Sequence, residues 1–313
     1  SFSFLGDLTN IYFVTAPFSI SILEKRKQNQ SKTYIIDISY GGGIMQSKIL
    51  FFDVDGTLLD TARGIPDIPQ GALYQLKRIQ EQGHKIFISS GRPKAMINQY
   101  LLNVGFDGYV LANGGYVEID GQSIYEDRMD YKLCVKTVQM LEDLRCDYML
   151  ETADAIYIDP SYHELYDFFS QAGMKEMFQL DFDKDEVLKR TIKIEANVLN
   201  KDKAKIENYI QDKFGSVIHH DEHGSENAFE FFSPTISKAV GIQKVLDYYH
   251  VSRQQTYAFG DGLNDMEMIE YCEVGVAMGN AVEALKQKAD LVCCAIENQG
   301  LERILKILFP DEV

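Results

Sequence analysis

The 313-residue chain is poor in basic residues: Lys and Arg number 31 against 47 Asp and Glu, a net charge of −16. An acidic chain repels the phosphate backbone of nucleic acid at long range, which argues against a general nucleic-acid binder. A small anionic substrate stays compatible, because a metal ion and a few placed donors reverse the field locally. Cysteine is scarce. The five residues Cys134, Cys146, Cys272, Cys293 and Cys294 include no C-x-x-C, which excludes a zinc knuckle and a thioredoxin-like pair. They read as buried free thiols of a reducing cytosol, so a cytoplasmic protein is expected. Cys293 and Cys294 close an apolar run and are expected on opposite faces of a strand. A long apolar run is also missing. The stretch Ile11–Leu23 is interrupted by Pro17 and is too short to span a bilayer. Its charges, Glu24-Lys25-Arg26-Lys27, follow it, whereas a secretory signal carries them in front. No membrane partner is therefore expected. There is no internal repeat, no low-complexity tract and no G-x-x-x-x-G-K-[ST], which excludes a P-loop NTPase.

What is present is ordinary globular composition, 45 % apolar and 25 % charged, in a length that suits two domains. The first Met is Met45, and Gly41-Gly42-Gly43 separates residues 1–44 from the rest. Residues 1–44 read as an extension that is not a domain, appended or translated from upstream of a natural start at Met45. The alternative is an added strand or arm packed on the body. From Lys48 the pattern is β-α-β-α-β: strand Ile49–Phe52, a helix near Gln70–Gln82, strand Lys85–Ile88, a helix near Lys94–Asn103 and strand Tyr109–Ala112. Apolar runs on both faces and alternating helices imply a parallel sheet with right-handed crossovers. After about Asp127 short strands (Tyr148–Thr152, Ala155–Ile158, Thr191–Val198, Phe229–Phe232) mix with helices (Lys132–Leu144, Ser161–Gln171, Asp202–Phe214), an α+β segment. The α/β rhythm resumes near Ile236, with a helix Lys238–Tyr249, strands near Thr256–Phe259, Gly275–Met278 and Asp290–Cys293, and a last helix Gly300–Leu308. The expected fold is a doubly wound, Rossmann-like α/β core, residues 45–126 and 233–313, interrupted by an α+β cap domain, residues 127–232. The cap holds 23 acids and 13 bases, so −10 of the net charge sits there.

The strongest chemical signal is Asp53-Val54-Asp55-Gly56-Thr57-Leu58-Leu59-Asp60. Asp53 and Asp55 leave the carboxyl end of a buried strand, where open α/β sheets bind ligands. Two acids there raise each other's pKa unless a divalent metal offsets the repulsion. Ser90-Gly91-Arg92 also follows a strand, and a hydroxyl and a backbone N–H there can donate to phosphate. Gly260-Asp261-Gly262-Leu263-Asn264-Asp265 follows another and adds two acids and an amide. Acids from two strand ends suit a hard, oxygen-liganded ion such as Mg²⁺. Lys238 supplies a cation for an anionic ligand. His219-His220-Asp221-Glu222-His223 does not match the helical H-E-x-x-H spacing and reads as an exposed loop of the cap. Tyr157 and Phe232 are aromatic residues of the cap that could line a substrate pocket.

The pattern resembles the haloacid-dehalogenase-like phosphohydrolase superfamily, and within it the Cof-type sugar-phosphatase branch, from about Ile49 to Leu308. The match rests on Asp-x-Asp-Gly-Thr, on Gly-Asp-x-x-Asn-Asp and on Val276-Ala277-Met278-Gly279-Asn280-Ala281. The resemblance implies that Asp53 is the nucleophile and Asp55 the general acid and base. It implies phosphate contacts from Val54 N–H, Ser90, Gly91, Lys238 and Asn264. Mg²⁺ would be held by Asp53, the Asp55 carbonyl and Asp261, with Asp265 acting outside the immediate ligands. Arg92 would bridge toward cap or substrate. The family's Gly after the motif lysine is Ala239 here, which matters little in a helical backbone. The implied activity is a Mg²⁺-dependent phosphatase acting on a small phosphorylated metabolite, a sugar phosphate or similar, through an aspartyl-phosphate. A phosphomutase would use the same aspartate pair, and a receiver-like phospho-accepting module would need neither Asp55 nor a cap.

Overall fold

In the computed structural model the described residues are 12–13, 20–26, 32–38, 47–171, 175–199, 201–210, 213–220 and 226–310. The chain divides into two compact units, residues 1–86 with 251–313, and residues 87–250.

The first unit is built on four parallel strands in the spatial order Ile49–Phe52, Thr256–Gly260, Val274–Ala277 and Leu291–Val292. Ile49, Leu50, Phe51 and Phe52 are all buried, as a strand covered on both faces requires. Phe52 stacks on Phe259 of the neighbouring strand with ring centroids 4.7 Å apart. Helix Gln70–Glu81 buries Ala72, Leu76 and Ile79 and packs with helix Gly300–Leu308. Gly83, at φ +83°, takes the left-handed turn that follows the first of these helices. Three strands fall in the stretch read as an extension. Tyr12–Phe13 pairs antiparallel with Leu291–Val292, and Ile20–Arg26 pairs antiparallel with Lys32–Ile38.

The division falls within strand Lys85–Ser89. In the second unit Phe87–Ser89 pairs parallel with Gly108–Leu111, which continues antiparallel to Tyr116–Ile119 and then to Gln122–Glu126. Helix Lys238–Tyr249 packs on Gly108–Leu111 and Tyr116–Ile119. A separate six-stranded sheet has the order Phe178–Gln179, Ile156–Ile158, Asp147–Glu151, Lys193–Asn197, Glu226–Phe232 and Gly215–His220. Every pairing in it is antiparallel except the first, and helices Tyr131–Leu144 and Lys203–Ile210 bury Cys134, Val138, Leu141 and Ile206 against Leu150, Ile194, Phe229 and Phe231. The segments near 127 and 235 are tied to each other: Thr235 Oγ1 donates to Asp127 Oδ2 at 3.1 Å.

Several local expectations change. The helix expected over Lys94–Asn103 is a 3₁₀ turn, Lys94–Met96, and then a helix Gln99–Val104. Ile97 is extended, and the Asn98 side chain accepts from Leu101 N–H, so Asn98 starts a new helix instead of continuing the old one. The hairpin Tyr116–Ile119/Gln122–Glu126 adds two strands to those expected, and Asp120-Gly121, both at positive φ, makes its two-residue turn. His219 and His220 close strand Gly215–His220, not a loop, and residues 221–223 lie outside the described residues. Strand Leu291–Val292 ends before the cysteine pair; Cys293 is buried and Cys294 half-buried. The other three cysteines are buried and none of the five is in a disulfide. Burial pushes the Cys134, Cys272 and Cys293 thiols up to about 12, which makes them inert at neutral pH. Among the described residues no helix is long and apolar enough to cross a membrane.

Candidate active site

The first unit gathers carboxylates at the carboxyl ends of two adjacent strands. Asp53 follows strand Ile49–Phe52, and its N–H donates to the Phe259 carbonyl at 2.9 Å, which extends the pairing one step beyond the strand. Asp261 follows strand Thr256–Gly260. One carboxylate oxygen each from Asp53, Asp261 and Asp265 lies within 4.8 Å of the others. Asp53 and Asp265 are buried. Three carboxylates so close repel one another in a weakly solvated place, and a hard cation removes that cost. The donor set is oxygen only, which fits such an ion.

The loops that carry these acids are tightly made. Asp265 Oδ2 accepts from Asp261 N–H at 2.8 Å and Gly262 N–H at 2.9 Å, folding Gly260–Asp265 into one turn. The Val54 carbonyl accepts from Thr57, Leu58 and Leu59 N–H, and Gly56 N–H donates to the Leu59 carbonyl. This turns the chain back directly after Asp55 and leaves Asp55 exposed, while Val54 is buried. Gly56 sits at φ +79°, and a Cβ there would overlap the Asp261 carboxylate. Two residues without an expected role join the site. Asn280 Nδ2 donates to the Gly56 carbonyl at 2.8 Å and to Asp261 Oδ2 at 3.4 Å, while its Oδ1 accepts from Ile296 N–H at 3.0 Å. Thr57 Oγ1 donates to Asp261 Oδ1 at 3.4 Å. Both lie inside motifs already recognised, so the motif itself was their signal. Asn264 is half-buried on the same turn as Asp261.

The second unit holds Ser90, Gly91, Arg92 and Lys238. Ser90 follows strand Lys85–Ser89; its N–H donates to the Val110 carbonyl at 2.8 Å and its Oγ accepts from Arg92 N–H at 3.2 Å. Arg92 Nη1 donates to the Met96 carbonyl at 3.2 Å. Lys238 opens helix Lys238–Tyr249 and is 1 % exposed. Ser237 caps that helix, and Ala239 lies within its first turn, where a helical backbone accepts alanine. Gly114, at φ +94°, lets the Ser237 carbonyl approach closely; a Cβ there would overlap it.

Beside this loop lies a buried ionic cluster that no motif in the sequence marks. Lys193 Nζ is 2.8 Å from Glu230 Oε1 and 3.2 Å from Glu151 Oε2, with Glu195 close enough to act on both. Burial pushes the Glu151 carboxyl up, and Lys193 only partly opposes it. Burial alone would lower the Lys193 ammonium; Glu151, Glu230 and Glu195 overturn that and hold it above its ordinary value. Tyr157 and Phe232 are buried; Tyr157 belongs to the hydrophobic core of the six-stranded sheet, and its hydroxyl accepts from Arg190 at 2.9 Å.

A family model described as haloacid dehalogenase-like hydrolase matches residues 50–305. The 5-amino-6-(5-phospho-D-ribitylamino)uracil phosphatase YitU of Bacillus subtilis (strain 168) is 30 % identical over 266 residues, covering 83 % of this chain and 97 % of the relative. Among solved structures, the HAD subclass IIB sugar phosphatase BT4131 superposes with a TM-score of 0.70 at 24 % identity, covering 84 % of this chain and 99 % of that one. BT1666 from Bacteroides thetaiotaomicron, described among phosphatases of the same superfamily, superposes with a TM-score of 0.72 at 24 % identity, covering 86 % and 97 %.

Proposed function

The chain belongs to the haloacid dehalogenase-like hydrolases, in their Cof-type branch, and is a phosphatase; we propose that it is Mg²⁺-dependent and hydrolyses a small phosphorylated metabolite, a sugar phosphate or similar, through an aspartyl-phosphate. The observation that carries the reading is the grouping of the Asp53, Asp261 and Asp265 carboxylates at two adjacent strand ends.

In this reading Asp53 and Asp261, with the Asp55 carbonyl, hold Mg²⁺, and Asp265 fixes the loop that presents Asp261. The ion supplies charge neutralisation for the phosphate and for the carboxylates around it. An Asp53 oxygen attacks phosphorus, the bond from phosphorus to the leaving oxygen breaks, and Asp55 gives its proton to that oxygen. The exposed position of Asp55 suits a group that must meet the substrate. Asp55 then takes a proton from water as the water oxygen attacks phosphorus. The bond to Asp53 breaks and inorganic phosphate leaves. Val54 N–H, Ser90, Gly91 N–H, Lys238 and Asn264 hold the phosphoryl oxygens, where positioning and charge are most of what phosphoryl transfer needs. Arg92 bridges toward the cap or the substrate.

Residues 127–232 act as the cap that selects the leaving group, and residues 45–126 with 233–313 as the catalytic core. Relatives named as phosphatases of a phosphorylated ribitylamino compound and of sugars favour a hydroxyl-rich leaving group here as well. Chelation is the direct test. Activity on p-nitrophenyl phosphate should vanish in EDTA and return with Mg²⁺, and Asp261→Ala should weaken Mg²⁺ binding measured by calorimetry. Full activity in chelator would contradict the metal requirement.

A further inference from the structure

The turn that the proposed function assigns to phosphate has its three carbonyls fixed in succession. The Ser90 carbonyl accepts from Asn113 N–H at 3.1 Å, the Gly91 carbonyl from Lys193 Nζ at 3.0 Å and the Arg92 carbonyl from Ala112 N–H at 3.0 Å. In a planar trans peptide a carbonyl held to one side sends the following N–H to the other. The Ser90 carbonyl therefore aims the Gly91 N–H. The Gly91 carbonyl aims the Arg92 N–H, which donates to Ser90 Oγ at 3.2 Å. With that oxygen accepting from within the turn, the Ser90 hydroxyl keeps its own hydrogen for donation to a ligand. Two of the three carbonyl partners are backbone N–H groups. The third, on Gly91, is a side chain from strand Lys193–Asn197, 102 residues away.

Lys193 is itself held in place. It is 1 % exposed and bound by Glu230 Oε1 and Glu151 Oε2. The other Glu230 oxygen accepts from Asn113 Nδ2 at 2.8 Å, and Asn113 is the residue whose N–H holds the Ser90 carbonyl. Ser90, Gly91, Lys193, Glu230 and Asn113 thus close a ring. Asn113 sits at φ +54°, a left-handed position that Asn tolerates better than most residues. A cluster this buried is a weak source of net stability, because removing its charges from water is costly. Its geometric product is a fixed orientation of the Gly91 carbonyl.

We propose that Lys193 is a positioning residue for phosphate binding: it holds the Gly91 carbonyl, which aims the Arg92 N–H at Ser90 Oγ, and through Glu230 and Asn113 it supports the Ser90 carbonyl, which aims the Gly91 N–H, so that the Ser90 hydroxyl and the Gly91 N–H serve the phosphoryl group. The inference rests on the reading of Ser90 and Gly91 as phosphate donors. Lys193 lies in the segment assigned to leaving-group selection, yet its action is on the phosphate, which every substrate shares.

The test measures inhibition by inorganic phosphate together with kcat and KM for p-nitrophenyl phosphate and for a hexose phosphate. Lys193→Met should raise the inhibition constant of phosphate about tenfold or more, the scale of a lost hydrogen bond from a charged donor, and lower kcat/KM on both esters by a similar factor. Lys193→Arg, which keeps a charged donor, should recover part of the loss. Because Lys193→Met leaves buried carboxylates unpaired, Lys193→Met with Glu230→Gln is measured beside it, with circular dichroism reporting the fold. A folded variant that binds phosphate like the parent overturns the proposal. So does a loss confined to the hexose phosphate, which would make Lys193 a leaving-group contact, and so does failure of both variants to fold, which would make it a folding residue. Ser90→Ala separates the two levels. If it leaves phosphate affinity unchanged, the assignment of the loop fails; if it weakens phosphate while Lys193→Met does not, only the positioning role fails.

Discussion

At Gly56 the backbone is left-handed, and the space a side chain would fill is taken by the Asp261 carboxylate. Gly56→Ala therefore meets two costs: about 1–2 kcal/mol for a non-glycine residue in that conformation, and displacement of a proposed metal ligand. The variant should melt a few degrees lower and bind Mg²⁺ markedly more weakly by calorimetry. Unchanged Mg²⁺ affinity would show that Asp261 is not held at this contact. The grouping of Asp53, Asp261 and Asp265 was legible in the sequence because each stands in a short motif after an apolar strand. Asn280 and Thr57 were visible only as members of such motifs, since their bonds to the site span 224 and 204 residues. Lys193, Glu151 and Glu230 carried no signal at all. Each is one of two charged residues in an ordinary strand, and only strand pairing makes them neighbours: Lys193 stands opposite Glu151 in register.

At the scale of elements, long amphipathic segments were the most legible. Helices Lys238–Tyr249 and Gly300–Leu308 have the expected bounds, and Gln70–Glu81 and Tyr131–Leu144 differ from them by one residue at one end. Apolar periodicity over three turns leaves few alternatives. Short elements were less legible, because side-chain capping or a turn can outweigh a weak period. Asn98 divides the segment after Pro93 in this way. At the Asp120-Gly121 hairpin a local turn signal stands beside a strand whose burial on both faces hides its alternation: Tyr116, Val117, Glu118 and Ile119 are all buried. Strand Gly215–His220 escaped notice because its pairing partner, Glu226–Phe232, lies across a polar, histidine-containing stretch that reads as loop.

For the whole molecule, the fold class and the family were legible, and the natural substrate was not, because the segment proposed to select it, residues 127–232, holds no short, fixed motif. That segment is strongly acidic, −10 of the net −16, and should favour neutral or cationic leaving groups over those with a second phosphate. Exchanging residues 127–232 for the equivalent segment of a relative, with Lys193, Glu151 and Glu230 kept, should shift kcat/KM among sugar phosphates by more than about tenfold, roughly 1.4 kcal/mol, with p-nitrophenyl phosphate changing far less. Equal losses on all esters would place part of the catalytic machinery in that segment. The central claim is the covalent step on Asp53, and the most direct measurement is acid quench of the enzyme during turnover of a labelled phosphate ester, followed by peptide mapping. The account predicts a hydroxylamine-sensitive phosphoryl group on the peptide that contains Asp53, absent together with all turnover in a folded Asp53→Asn variant. An active Asp53→Asn variant, or a label on another residue, would contradict it.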